Sequence, residues 1–356
     1  MSRDRPDPSE MSVREAVQRY LRRRRADATD SSVQNWKYRL KLFVEWCEGV
    51  DIDPVGDIQR YDLDEYFDVR SATVEPATLE GEMWTLKTFV RYLDEQLGAV
   101  EHDLAEAVRI PDLDPEDRTD DTTLHTDDAL ALLGFYRRDE STRASRGHAF
   151  LELAWFTGAR QGSLRGLDIR DVNHEEGYVE FHHRPETDTP LKNKTRGERP
   201  VALPDESMDV LAEFVDGDRY DVEDDHGRKP LLASLRGRPT NNTIRNCSYM
   251  ATQPCVHSPC PHDREREKCE WTTQIHASKC PSSRSPHKIR TGSITWQLNR
   301  GFPPEVVAER VNATVEVIED HYDWATQEER WKRSRERMRG RREYIDQLNL
   351  ETETDE

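Results

Sequence analysis

Apolar residues recur at helical spacing through the first hundred positions. Val13, Ala16, Val17, Tyr20 and Leu21 fall on one face. The run TDSSVQNWKYRLKLFVEWCEG follows, with Val33, Trp36, Leu40, Phe43, Val44 and Cys47 on one face. Ser31 or Ser32 reads as its N-cap and Gly49 as its stop. A third helix is predicted over 62–71. PATLEGEMWTLKTFVRYLDEQLG predicts a fourth, with Leu79, Met83, Leu86, Phe89, Val90 and Leu93 inward and Gly98 at its end. These four helices form a small domain over 11–109.

The pattern then breaks. IPDLDPEDRTDDTT, at 110–123, is rich in Pro and Asp, has no period and reads as a linker. A second domain, 124–324, opens with a helix in LHTDDALALLGFY that Thr126 is expected to cap. An apolar helix, a Thr-Gly break and a further helix follow in RGHAFLELAWFTGARQGSLRGLDIRDV. GYVEFHHR and ERPVALP alternate as two strands, joined by the polar turn PETDTPLKNKTRG. Helices are predicted over 205–217, 287–300, 303–311 and 314–321. A cysteine-rich insertion occupies 247–281. A long charged helix over 326–347 falls within a charged C-terminal segment, 325–356. The fold class is therefore mainly α with a small antiparallel β-sheet.

The chain has 356 residues, enough for two domains, and a formal net charge of −19, from 71 acidic against 52 basic residues. Only 34% of residues are hydrophobic, yet eight tryptophans and strong periodicity oppose a disordered chain. The acidity is spread along the whole length, as in a protein built for high salt. On its face it opposes nucleic-acid binding. At about 1 M salt, however, the Debye length is only about 3 Å, so local clusters decide. Basic runs stand at 22–25 and at Lys37, Arg39 and Lys41, where a solvated helix face is the plain reading. No run of 18 apolar residues exists and MSRDRPDPSE is no signal peptide, so a cytoplasmic, membrane-free protein is expected.

Four pieces carry chemistry. TGAR sets Arg160 at a helix start after a glycine. PLKNK sets Lys192 and Lys194 on the turn between strands. HKIR sets His287 and Arg290 one helical turn apart. VIEDHYDW places Tyr322 at a helix end, 32 residues after Arg290. Singly each is weak. In this order and spacing the chain resembles the tyrosine recombinases, the family of lambda integrase and the Xer proteins, from about Val13 to about Trp324. The resemblance rests on TGARQGSL, the lysine-bearing hairpin, HKIRTGS, the NRG helix end and the terminal tyrosine. It implies an N-terminal helical (SAM-like) core-binding domain followed by an α+β catalytic domain. It also implies double-stranded DNA as partner and a tetramer acting on two duplexes.

The resemblance implies the chemistry too. A tyrosine hydroxyl attacks a DNA phosphodiester, giving a 3′-phosphotyrosyl link and a free 5′-hydroxyl, with no cofactor required. Arg160 and Arg290 would hold the non-bridging oxygens as charge builds on them. Lys192 or Lys194 would protonate the departing oxygen, His287 would assist proton transfer or donate a hydrogen bond, and Tyr322 would be the nucleophile. The choice of lysine stays open. The chain departs from the family at three points: Ser163 stands where an acidic residue is usual, Thr291 where many relatives carry a second His, and Ala313 where a His or Trp donor is usual. Asn312 is the nearest replacement for that last donor.

Cys255, Cys260, Cys269 and Cys280 lie in the insertion just before HKIR. Four thiolates can close a structural zinc site, and reduced cysteines without metal are the alternative. RWKRSRERMRGRRE, at 330–343, is the densest basic stretch and would lie on DNA, dock on a neighbouring subunit or face solvent. The leading reading is a site-specific recombinase. A catalytically weak DNA-binding relative and a zinc-stabilised interaction protein without a DNA role are the alternatives.

Overall fold

The structure, a computed structural model, describes residues 6–113, 122–322 and, beyond these, Trp331, Ser334, Arg335, Met338, Arg339 and Arg342. The centre of the linker and nearly all of the predicted helix over 326–347 lie outside the described residues. The chain divides into two compact units, Met1–Asp121 and Thr122–Glu356.

In the first unit, α1 (Val13–Arg24), α2 (Asp30–Gly49), α3 (Arg60–Ser71) and α4 (Pro76–Tyr92) enclose one core. The inward faces are those of the apolar pattern: Val13, Ala16, Val17, Tyr20 and Leu21 on α1, and Val33, Leu40, Phe43, Val44 and Cys47 on α2. The cap of α2 differs from expectation. Thr29 takes that place, its Oγ1 accepting the Ser32 N–H at 3.3 Å, so Ser31 and Ser32 lie inside the helix. Proline preset for a first turn opens α4, and Gly98, at φ +59, ends its extension Leu93–Leu97. Cys47 is a core residue: burial pushes its thiol up to about 12. The basic runs are partly structural. Arg39 donates to Gly81 O at 2.8 Å and to Thr85 Oγ1 at 3.1 Å, tying α2 to α4, and Arg24 lies over the Trp36 ring.

In the second unit, α5 (Thr126–Arg138) is followed by α6 (Arg146–Thr157), whose residues from His148 to Thr157 are all buried. A helix buried on all its faces belongs at the centre of a domain. α5, α8 (Asp205–Asp216), α9 (Asn241–Ala251) and α10 (Pro286–Asn299) all pack against it. His125, not Thr126, occupies the N-cap position of α5. The short α7 (Gln161–Gly166) leads into an antiparallel sheet, β1 (Val172–Asn173), β2 (Tyr178–Phe181) and β3 (Arg199–Ala202), in that order. β2 and β3 are the two predicted strands, with Val179 opposite Val201, and β1 is an addition too short to show a period. The chain then runs through α11 (Pro304–Val311) and α12 (Val315–Tyr322). Between α9 and α10 the cysteine-rich segment is built of short 3-10 turns.

Candidate active site

The opening of α10 is set by Pro286 in its first turn. His287 is exposed there, while Arg290, one turn on, is only 6% exposed. The Thr-Gly-Ser run behind them has a packing reason. A Cβ on Gly292 would come within 2.0 Å of the Leu124 carbonyl oxygen, and Ser293 donates its hydroxyl to the Trp155 carbonyl. Thr291 donates Oγ1–H to its own helix, at His287 O, 3.1 Å away.

Arg290 donates Nη1–H to two carbonyls at 2.6 Å each, those of Gly158 and Val311. Gly158 ends α6 at φ +57, and a Cβ there would meet Val311 Cγ1 at 2.8 Å. Glycine meets both demands, the left-handed backbone and the close approach. Two residues later Arg160 sits at the N-cap position of α7 and donates Nη1–H to the Asn312 carbonyl. Ser163, where the family is usually acidic, is buried in that helix.

A third guanidinium joins them. Arg199 opens β3, is 8% exposed, and donates Nε–H to the Arg310 carbonyl at 2.7 Å and Nη1–H to the Gly197 carbonyl at 2.9 Å. Its Nη2 is buried without a hydrogen-bond partner. The carbonyls of Arg310, Val311 and Asn312 are consecutive, and they accept Arg199, Arg290 and Arg160 in turn. They are the unsatisfied last carbonyls of α11, where the helix dipole favours positive charge. Asn312 closes that helix in the left-handed region, φ 55 and ψ 62.

The charge of this cluster is one-sided. Arg160, Arg199 and Arg310 make no ion pair with a carboxylate among the described residues; buried Arg–carboxylate pairs lie elsewhere, at Glu82, Glu152, Asp168, Asp171 and Asp224. Burial, then the charges of Arg160 and Arg310, brings Arg199 down to about 10. Burial also lowers Arg160 and Arg310. Arg310 donates to Gln297 Oε1 at 3.0 Å and to the Phe156 carbonyl at 2.8 Å.

Lys192 and Lys194 are both exposed on the turn before β3, Lys194 at φ 53. The turn reaches the arginine cluster through Asn193, which donates Nδ2–H to Asn312 Oδ1 at 2.7 Å. Tyr322 is the last residue of α12, which begins soon after Asn312, and its side chain lies outside what is described. Arg160 and Arg290 thus dock on one helix end, the lysine turn is tied to that end, and His287 stands one turn from Arg290. Ala313, in the place of the missing donor, is partly buried against Ile294, Val307 and Ile318. Arg199, Arg310 and Asn193 are absent from the sequence-based site. Arg199 carried a signal: in ERPVALP the alternation that turns Val201 inward turns Arg199 inward too.

The cysteine segment is where metal is expected, so the spacing of its thiols and of the other metal-ligating side chains is relevant. Among the described residues, Asp94, His102 and Asp103 form the one group of three donors within 4.8 Å, on the surface of the first unit. No such group includes Cys255, Cys260, Cys269 or Cys280. Cys255 Sγ instead accepts from Arg266 Nη1 at 3.0 Å, and Cys280 is buried. No described helix is long and apolar enough to cross a membrane.

No protein-family model and no curated protein matches the chain. Among solved structures it is similar to an integrase of the Tn1549 transposon in complex with circular-intermediate DNA: 15% identity, TM-score 0.63, 92% of this chain and 99% of that one. A lambda integrase dimer bound to a COC′ core site matches with 12% identity and TM-score 0.61, over 89% of this chain and 79% of that one. These two show the fold. The N-terminal domain of a phage integrase/site-specific recombinase from Haloarcula marismortui is 46% identical, over 97% of that domain and 28% of this chain, with a TM-score of 0.28. The chain therefore has the fold of the tyrosine recombinases/integrases, and it carries the TGAR, HKIR and terminal-tyrosine motifs in order along that fold.

Proposed function

We propose that the protein is a site-specific DNA recombinase that cuts and rejoins strands through a 3′-phosphotyrosyl intermediate. The observation that carries this is the convergence of Arg160, Arg290 and Arg199 on three consecutive carbonyls at one helix end. A cluster of buried and half-buried guanidiniums, three of them without a carboxylate among the described residues, is an anion site, and a phosphodiester is the anion that bidentate guanidinium forks match.

In this reading Tyr322 Oη attacks the phosphorus and its proton passes to His287. The bond from phosphorus to the 5′-oxygen breaks, and a lysine of the Lys192–Lys194 turn protonates that oxygen. Arg160 and Arg290 hold the non-bridging oxygens as charge builds on them. One phosphodiester replaces another, so the partner strand's 5′-hydroxyl reverses the step. Ala313 contributes no donor, and the Asn312 amide is turned to the lysine turn, so the site works with one phosphate donor fewer. Such a loss costs about 10²–10³ in rate.

The partners in this reading are two DNA duplexes and a tetramer of the chain, working inside the cell in high salt, the medium that a net charge of −19 fits. The insertion's cysteines have no role in the reaction, and zinc at Cys255, Cys260, Cys269 and Cys280 is tested by metal content before and after Cys260→Ser. The test of the function is a nicked duplex that traps the intermediate. An adduct that resists denaturation and disappears in Tyr322→Phe supports the recombinase. DNA binding with no adduct supports the weak relative.

A further inference from the structure

The turn that carries Lys192 and Lys194 is held from outside its own strands. Asn193, between the two lysines, donates to Asn312 Oδ1 at 2.7 Å across 119 residues. Asn312 Nδ2 lies against Gly197 at the far end of the turn, where a Cβ would approach it to 2.5 Å. Arg199 fastens the same junction with two bonds, a buried one to the Gly197 carbonyl and a part-buried one to the Arg310 carbonyl. Both ends of the turn are therefore pinned to the last residues of α11, the helix end on which Arg160 and Arg290 dock. The pinned backbone is not relaxed: Lys194 at φ 53 and Asn312 at φ 55 both stand in the left-handed region.

We propose that Asn193 and Asn312 form a latch that positions the lysine turn for proton transfer to the leaving 5′-oxygen. Neither touches the phosphate; both are positioning residues. The latch keeps the lysine ammonium in register with the arginines that hold the phosphate, and without it the turn is free to carry its lysines away. This inference rests on the recombinase reading. The step it serves balances: the phosphorus–O5′ bond breaks, the lysine's proton goes to O5′, and the neutral amine remains.

A change of leaving atom separates positioning from mere structure. Asn193 is exposed, so Asn193→Ala spares the core. The substrates are two versions of one duplex, recovered by this protein from a random-sequence pool and mapped for its cleavage position. One is unmodified and the other carries sulfur in place of the bridging 5′-oxygen. A thiolate departs without a proton, so it needs no lysine. On the unmodified duplex, Asn193→Ala is expected to slow single-turnover adduct formation about 10²-fold, the scale of a misplaced catalytic group. On the sulfur duplex, variant and wild type are expected to react alike. Equal slowing on both duplexes, or no slowing on either, overturns the latch while leaving the recombinase standing. Absence of any Tyr322-dependent adduct from the wild type on either duplex overturns the recombinase reading, and the latch with it.

Discussion

Gly158 and Arg290 show how closely single residues are specified here. Gly158 supplies a carbonyl to Arg290 from a left-handed backbone, with Val311 packed where a Cβ would stand. Gly158→Ala is therefore expected to cost about 1–3 kcal/mol in urea unfolding, from the backbone conformation and the clash together. Arg290→Ala is expected to lower adduct formation by at least about 10²–10³, while a gel shift still detects DNA binding. Retained cleavage in that variant would remove Arg290 from the site. At this scale the sequence was informative where a motif is short. Arg160 follows a glycine break and Arg290 follows His287 on one helix, so local spacing exposes them. Arg199 and Asn193 depend on carbonyl and amide partners 111 and 119 residues away, and no local spacing encodes those.

Elements meet through buried charge as well as apolar faces. Asp168, 1% exposed, accepts from Arg184, Arg228 and Arg238, which joins the segment after α7 to the hairpin and to the loop before α9. Burial raises its pKa, but the bonds from Arg228 and Arg238 outweigh that and hold it below its ordinary value. Glu152 on α6 behaves alike: burial raises it, and bonds from His148, Arg137 and Ser207 bring it down overall. A carboxylate depressed in the folded state contributes stability that is present above its unfolded pKa and lost as pH falls through the folded one. Unfolding free energy is thus expected to fall below about pH 4, the ordinary carboxylate range. Asp168→Asn, which leaves buried guanidiniums short of a charge, should lose about 3–5 kcal/mol at neutral pH. Denaturant titrations at several pH values check both. The helices themselves were legible, because their inward positions follow the 3.6-residue period. The cap of α2 and the strand β1 were not, since neighbouring Thr and Ser residues compete for one cap and two residues show no alternation.

For the whole molecule, the balance of −19 opposes a DNA-binding role until the arginines are seen to gather at one point. Net charge governs solubility and self-repulsion, and the local cluster governs what binds. Like-charge repulsion over the acidic surface is screened at about 1 M salt, where the Debye length is about 3 Å. The melting temperature is therefore expected to rise between about 0.1 M and about 1 M KCl, and a fall would remove the high-salt reading. The chain divides into two compact units, each around its own hydrophobic core. The central claim is that Tyr322 carries the DNA strand. Its most direct test is mass spectrometry of the peptides from a trapped protein–DNA adduct after nuclease digestion. The account predicts a nucleotide joined through its 3′-phosphate to Tyr322. Attachment to any other residue, or no covalent attachment from a protein that binds the same duplex, would contradict it.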